Sequence, residues 1–332
     1  MARSFESSAE YAATAPVRFR RRHGRARRAG KINSLVIAIE SMELLAFFVP
    51  WEWSWPVQLS VWGTLLLYWN GLRRSRPEQR PGTWTVVAFV TGVVLMYLVT
   101  QTRFDYWSQY MFFVHRGQHL VLHHLAPFLI ALAMPAAVLG RGLPEPVKAW
   151  FGRRTVLAAI WVRTYRALQQ PFLACFLFVG LIAFWLTPEI HFDAMLSSTL
   201  YWVMNWTMAL DGLLFWWLIF EHGKRGITPR LGYGTRVLLL AAVMVPQIII
   251  GASITFADGV WFDVYAVCGR AWPIEPMTDQ LLGGLITWIP AAMMSVVGAL
   301  IVLRFWMYSD TAEARVAGRG PAGEVIEMGV SR

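Results

Sequence analysis

A histidine-rich stretch carries the clearest chemical signal in this sequence. His115, His119 and His123 recur every four residues, so on an α-helix their directions drift by only about 40° per step and form one stripe. The stripe descends about 12 Å along the helix. Imidazole nitrogens bind copper, zinc and iron, including haem iron. The spacing therefore predicts a metal or cofactor site and does not by itself choose among these metals.

A purely structural role is the alternative for these histidines, as neutral rings that hydrogen-bond to neighbouring helices or to the backbone. Three imidazoles on one stripe favour function, because ionisable side chains inside a membrane are costly and usually functional. Gln118 lies beside the stripe, and His124 points about 100° away from it. Both are candidates for supporting the ligands.

Further candidates lie in a later apolar segment. Met204 and Met208 are four residues apart, and thioethers favour Cu(I), although methionine also commonly fills gaps in a core. Asn205 and Asp211 occupy the same segment. A carboxylate within a membrane span is expected to face the bundle interior, so Asp211 is predicted to pair with another group or to conduct protons.

Two polar sites outside the apolar segments have simpler interpretations. His191 and Asp193 fall in a predicted outer loop, where a solvated polar turn is favoured over an entry point for a soft metal. Asp279 or its neighbour Thr278 is expected to cap the last helix. About one turn later in that helix, Gly283 and Gly284 are expected to let a neighbouring helix approach closely.

The elements that position these residues must be membrane helices. The 332 residues are 56% hydrophobic and only 15% charged, with a mean hydropathy of +0.45, too apolar for an ordinary soluble domain. The fold class is therefore predicted to be all-α, a polytopic membrane bundle of about seven to eight transmembrane helices. The predicted segments are 33–50, 56–72, 83–100, 111–139, 169–187, 196–220, 236–256 and 281–306. Glu40 and Glu43 weaken the first of them.

The distribution of basic residues predicts the orientation. All but three of the 30 Lys and Arg residues fall on one side of an alternating path, the exceptions being Arg103, Arg116 and Arg270. By the positive-inside rule that side is cytoplasmic. Residues 1–32 are then a basic cytoplasmic segment, 33–306 the membrane bundle, and 307–332 a cytoplasmic tail expected to be disordered. The net charge of +10 is interpreted as a topology signal and not as a nucleic-acid surface.

Three blocks of sequence resemble the CtaG family of bacterial cytochrome c oxidase assembly factors. The resemblance extends from about Trp51 to Trp306. The blocks are His115-x-x-Gln118-His119 running into Ala126-Pro127, then Gly212-Leu213-Leu214-Phe215-Trp216-Trp217, then Asp279-Gln280-Leu281-Leu282-Gly283-Gly284-Leu285-Ile286 with Trp288 and Pro290. His123 and His124 depart from the apolar residues or methionine frequent there, and Asn205 stands where a histidine is frequent.

The resemblance implies a multi-pass plasma-membrane protein, not an enzyme, that assists copper insertion into a haem-copper oxidase. The implied partners are oxidase subunits, a periplasmic copper donor and membrane lipid. On this hypothesis His115, His119 and His123 transiently hold Cu(I). The expected supporting residues are Gln118, His124, Met204, Asn205, Met208, Asp211 and Asp279. The alternatives are a haem-binding membrane protein and a metal-free scaffold for oxidase subunits.

Hydrolytic chemistry has no support, since no nucleotide-binding loop, nucleophile elbow or HExxH motif occurs.

Overall fold

The computed structural model of the protein describes residues 47–152, 155–221 and 231–317. All regular secondary structure in these ranges is helical, which confirms the predicted fold class. Most of the predicted segment 33–50, all of the basic segment 1–32 and residues 318–332 lie outside the described residues. Val49–Arg332 forms one compact unit, and it contains every helix named below.

Thirteen α-helices make up the described part of this unit. A single turn of 3-10 helix at Pro77–Gln79 follows the first. In chain order they are α1 Trp55–Arg74, α2 Thr83–Gln101, α3 Arg103–Tyr110, α4 Phe112–Leu132, α5 Ala136–Gly142, α6 Glu145–Gly152, α7 Val156–Leu168, α8 Pro171–Trp185, α9 Pro188–Leu196, α10 Ser198–Phe220, α11 Tyr233–Thr255, α12 Val264–Val267 and α13 Pro276–Ala317.

Several of these helices are long and apolar enough to cross a membrane. In the described ranges α2, α10, α11 and α13 qualify alone, and the bent pairs α4–α5 and α7–α8 raise the number to as many as six. The protein is therefore a helical membrane protein, but the predicted count of seven to eight spans is not confirmed. The predicted helix 56–72 exists as α1, yet it is not among the qualifying spans.

Several predicted boundaries differ from the structure, three of them by the largest margins. The predicted helix 111–139 breaks after Leu132, where Met134 has a positive φ of 43° and Pro135 lacks a backbone N–H, so that α5 leaves at 77°. Residues 156–168, predicted as loop, form α7. The last helix continues to Ala317, past the predicted end at 306.

Helix α4 lies at the centre of the bundle, where it packs against α2, α10 and α13. Glycines allow the closest approaches. A methyl group added at Gly212 of α10 would overlap the backbone carbonyl of His123, and one added at Gly283 of α13 would overlap the ring of Phe112. The predicted role of the glycines in α13 is thus confirmed, since a methyl group added at Gly284 would likewise overlap Thr255. These contacts fix the depth and rotation of the histidine-bearing helix.

Candidate functional site

The histidine-bearing helix is not a uniform α-helix. Phe112–His119 is α-helical, Leu120–Leu125 is a π-helical turn, and the α-helix resumes at Ala126. A π-turn has a wider i→i+5 hydrogen-bond pattern and frequently occurs at functional sites. It changes the rotational position of His123 and His124 relative to the preceding turns. The rings of His115 and His119 remain in contact, and His119 and His123 both line one small cavity.

His115 and His119 form a buried pair. Their side chains are 0% and 1% exposed, and their ring centroids lie 4.4 Å apart. None of their four ring nitrogens makes a hydrogen bond of normal length and angle to a described residue. Buried polar atoms without partners are rare, and each costs about 1–3 kcal/mol. The two rings can therefore bind a metal ion, which accepts a nitrogen lone pair, or a ligand whose acceptor atoms take hydrogen bonds from the ring N–H groups.

His191 is a third imidazole at this site, which the sequence interpretation missed. It lies on α9, is buried, and its ring centroid is 5.2 Å from that of His115. The prediction of a solvated turn is wrong for His191, whereas Asp193 is exposed. A signal existed in the neighbours Ile190 and Phe192, which are too apolar for an exposed turn.

The hydrogen bonds of His191 define its tautomer. Its Nδ1 lies 3.0 Å from the carbonyl oxygen of Trp185, which can only accept, so Nδ1 carries the proton. Its Nε2, 3.0 Å from the hydroxyl of Tyr265, then accepts from that hydroxyl. Burial lowers the pKa of His191 to about 3, which keeps the ring neutral. A backbone carbonyl on the far nitrogen is the arrangement that commonly orients metal-binding histidines.

His123 and His124 have polar partners of their own. His123 Nε2 lies 3.0 Å from Asp211 Oδ2, and its ring stacks on Phe178 at 4.1 Å. His124 Nε2 lies 3.4 Å from Gln247 Oε1. The prediction that Asp211 faces the interior and pairs with another group is confirmed. In the described ranges, no three His, Cys, Asp or Glu side chains are arranged to hold one metal ion.

Gln118 ties the histidine helix to a buried carboxyl group. Its Nε2 donates to the carbonyl of Val99 and to Asp105 Oδ1, both at 2.7 Å. The hydroxyl of Tyr201 donates to the same Asp105 oxygen at 2.8 Å. Burial raises the pKa of Asp105 to about 6, although the hydrogen bonds from Tyr201 and Gln118 oppose the rise. Asp105 was not predicted as a site residue, because its sequence position suggested only an outer loop.

The structure places the remaining predicted supporting residues, Met204, Met208, Asn205 and Asp279, in three different surroundings. Met204 and Met208 are buried among apolar side chains, the packing role expected of methionine. Asn205 lies next to His119 and Tyr201, and its Oδ1 makes no hydrogen bond of normal length and angle to a described residue. The prediction that Asp279 caps its own helix is wrong: its carboxylate accepts from the backbone N–H groups of Phe112 and Phe113 on α4.

Two cavities lie near the histidines, and of these two only the smaller has histidines in its wall. The larger, of about 660 Å³, lies among α1, α2, α3, α4, α9 and α10, and its wall includes Met96, Asp105, Met195, Tyr201 and Asn205. The smaller, of about 10 Å³, lies among α4, α8, α10 and α13, and its wall includes Arg116, His119, His123, His124, Met208 and Thr287. Asn205 lines the large cavity and lies beside His119, which lines the small one, so these two side chains link the two cavities.

This fold and site define a polytopic helical membrane protein built around a buried histidine pair. The chain belongs to the cytochrome c oxidase caa3 assembly factor family (Caa3_CtaG), whose sequence profile matches residues 66–309. The family resemblance seen in the three sequence blocks is thereby confirmed.

The curated relatives are themselves uncharacterized mycobacterial proteins. The chain is 26% identical over 290 residues to one from Mycobacterium leprae (strain TN), covering 80% of this chain and 41% of the relative. It is 28% identical over 262 residues to proteins of Mycobacterium bovis and Mycobacterium tuberculosis, covering 73% of this chain and 37% of each relative. The chain therefore spans about two fifths of the length of these relatives. No solved structure matches it.

Proposed function

We propose that this protein is a non-catalytic assembly factor that assists maturation of a cytochrome c oxidase by holding Cu(I) transiently between His115 and His119. The observation that carries the proposal is the pair of buried imidazoles whose ring nitrogens make no hydrogen bond of normal length and angle to a described residue. Family membership supplies the oxidase context. Oxidase subunits are the proposed receivers of the metal.

The chemistry of the pair suits Cu(I) as cargo. Imidazole is a good copper ligand, and each neutral ring offers one lone pair. Cu(I) tolerates coordination by only two ligands, so the pair needs no third carboxylate or thiolate. A site with few ligands also favours transfer, because few bonds must be exchanged when the metal leaves. His123 is assigned a structural role here, since its Nε2 is bonded to Asp211.

The larger cavity offers a route to the pair. Its wall carries the thioethers of Met96 and Met195, soft ligands that suit Cu(I). Asn205 lines the same cavity and lies next to His119. The proposal takes this end of the bundle to face the periplasm and both termini to be cytoplasmic, an orientation supported by the positive-inside pattern of the sequence. A periplasmic copper donor is therefore the proposed source of the ion.

Anaerobic Cu(I) titration of the purified full-length protein in detergent tests the proposal. A chromophoric Cu(I) chelator would report competition by wild type, by the double variant His115→Asn/His119→Asn and by the control His124→Asn. We expect about one tightly bound Cu(I) in wild type and control, and loss of that binding in the double variant. Equal copper retention by the double variant and wild type would refute the assignment.

A complementation experiment links metal binding to assembly. A strain lacking the gene would receive wild type, the double variant or the control, and oxidase activity and subunit levels would be measured. We expect rescue by wild type and control only. Full rescue by a double variant that binds no copper would favour the metal-free scaffold, whereas a Soret band in the purified wild type would favour the haem alternative.

A further inference from the structure

Arg116 is a buried cation without a counterion among the described residues. Its side chain is 4% exposed and its Nε donates to the hydroxyl of Thr287 at 2.9 Å. The ion pairs in the described ranges join Lys148 to Glu145 and Arg270 to Asp279, the contact of His123 with Asp211 being an ion pair only if the imidazole is protonated, and none of these includes Arg116. Guanidinium remains charged at all physiological pH values, and a buried charge is normally paired. The position therefore requires compensation from another source.

Arg236 shows how this fold compensates a buried guanidinium elsewhere. Its Nε, Nη1 and Nη2 donate to the carbonyl oxygens of Leu231, Ile219 and Glu221. Two of these carbonyls lie at the end of α10, the negative end of the helix dipole. Arg116 has no such set of acceptors, since Nε is its one hydrogen-bonding nitrogen toward described residues.

The small cavity lies against Arg116. Its volume of about 10 Å³ is at the lower limit for one water molecule, so a halide ion, which is larger than water, fits only with a small outward shift of the wall. The hydroxyl of Thr287 accepts from Arg116 and donates to the carbonyl of Gly283 at 2.7 Å, so its proton is already used. His119 also lines the cavity and, in either neutral tautomer, carries one N–H; neither of its ring nitrogens makes a hydrogen bond of normal length and angle to a described residue, although Asn205 lies beside the ring. The wall therefore offers donors and positive charge and has no carboxylate.

We propose that this cavity binds one small monovalent anion of the halide class, with chloride as the physiological occupant. The anion would accept hydrogen bonds from the Arg116 guanidinium and from the N–H of His119. It would also neutralise the charge that Arg116 brings into the bundle. A neutral imidazole has one N–H and one lone pair, so His119 can face the anion and still offer its other nitrogen to Cu(I). The anion site does not depend on the copper proposal.

Thermal unfolding of the full chain in detergent tests this inference. The unfolding midpoint would be measured by tryptophan fluorescence while chloride replaces gluconate at constant ionic strength. Because a ligand that binds only the folded state stabilises it, we expect the midpoint of wild type to rise with chloride and to saturate. Arg116→Gln should lose the saturable rise, whereas the control Arg270→Gln, which alters the ion pair with Asp279, should keep it.

Three outcomes would overturn the proposal. They are a wild-type midpoint that does not distinguish chloride from gluconate, an equal response in Arg116→Gln and wild type, and loss of the response in Arg270→Gln as well. Should Arg116→Gln fail to fold, wild-type crystals grown in bromide give an independent result. An anomalous peak beside Arg116 and Thr287 supports the site, and no peak there at saturating bromide refutes it.

Discussion

Asp279 caps a helix to which it does not belong, since its Oδ2 accepts a hydrogen bond from the backbone N–H of Phe112 at 3.1 Å. Its Oδ1 accepts from the next N–H, that of Phe113, at 2.9 Å. The first N–H groups of any helix lack intrahelical acceptors, and a carboxylate there also interacts favourably with the helix dipole. Arg270 Nε, 3.3 Å from Asp279 Oδ2, holds the carboxylate from the other side. Helix α13 thus determines where α4 begins, three residues before His115.

Replacing Asp279 with alanine should therefore destabilise the protein and loosen the start of α4. We expect the free energy of unfolding to fall by about 1–2 kcal/mol, the usual cost of losing a helix cap. Chemical denaturation in detergent, followed by tryptophan fluorescence, gives this value. Asp258→Ala is the control, because Asp258 is exposed. Equal stability of Asp279→Ala and the control would contradict the role of Asp279 as a cap.

The sequence predicts the longest apolar helices of this protein well because apolar runs of membrane length leave few alternatives to a helix. The predicted segments 83–100, 196–220 and 236–256 correspond to α2, α10 and α11 within a few residues. The break after Leu132 is harder to predict. Pro135 signals it, but only packing decides whether a proline in a membrane helix produces a bend of 77°.

The candidate site is less predictable, because its geometry depends on tertiary contacts. An α-helical period places His115, His119 and His123 on one stripe, and the π-turn at Leu120–Leu125 breaks that period. The turn coincides with the close approach of Gly212 to the His123 carbonyl, a contact with a residue far away in sequence. His191 reaches the site in the same way, from a helix that no local pattern connects to α4.

Asp105 should give the protein a specific pH dependence. Its folded-state pKa of about 6 exceeds the ordinary value of 3.8, so between these values the folded state binds more protons than the unfolded state. The contribution of Asp105 to stability therefore falls as the pH rises from about 4 to about 6. At about 1.4 kcal/mol per unit of pKa difference, the total loss is about 2–3 kcal/mol.

The comparison of wild type with Asp105→Asn isolates this contribution. Asparagine keeps an acceptor for Gln118 and Tyr201 but does not titrate. His191 contributes the opposite slope, since burial lowers its pKa to about 3, and Glu52 acts on Asp105 through its charge. Denaturation curves at several pH values should show the stability difference between wild type and Asp105→Asn shrinking as the pH falls from about 6 to about 4 and staying constant below that. A difference that is constant with pH would refute the raised pKa, and Glu52→Gln should leave most of the difference in place.

Gly212 should tolerate no side chain. In Gly212→Ala the added methyl would overlap the carbonyl of His123, so α10 or the π-turn of α4 must move. Overpacking of this kind typically costs about 1–3 kcal/mol. The matched control is Gly63→Ala in α1, where nothing lies within 4 Å of the added Cβ and alanine should stabilise the helix by about 0.5–1 kcal/mol. Thermal midpoints that move in the same direction for both variants would contradict this packing.

The contributions of His123 and Asp211 to stability should depend on each other and be independent of the proposed copper ligands His115 and His119. His123→Leu leaves a buried carboxyl group without its partner, and Asp211→Leu leaves the Nε2 of His123 without one, so each variant should lose about 1–3 kcal/mol of stability. The double variant removes both groups and should lose less than the sum, with a coupling of about 0.5–3 kcal/mol. Denaturation of the four proteins in detergent gives this coupling.

The same variants distinguish the two assignments available for His123. A second double-mutant cycle, His124→Leu with Gln247→Leu, is the reference. Because His124 Nε2 and Gln247 Oε1 lie 3.4 Å apart, the coupling energy of this cycle should be smaller than that of His123 and Asp211. Because His123 is bonded to Asp211 and is not part of the His115–His119 pair, folded His123→Leu should still bind Cu(I) with an affinity close to that of wild type. If the stability losses of His123→Leu and Asp211→Leu simply add in the double variant, the proposed pairing of His123 with Asp211 is wrong. Loss of Cu(I) from His123→Leu at unchanged secondary structure would instead restore His123 as a ligand and return the site to the three-histidine stripe.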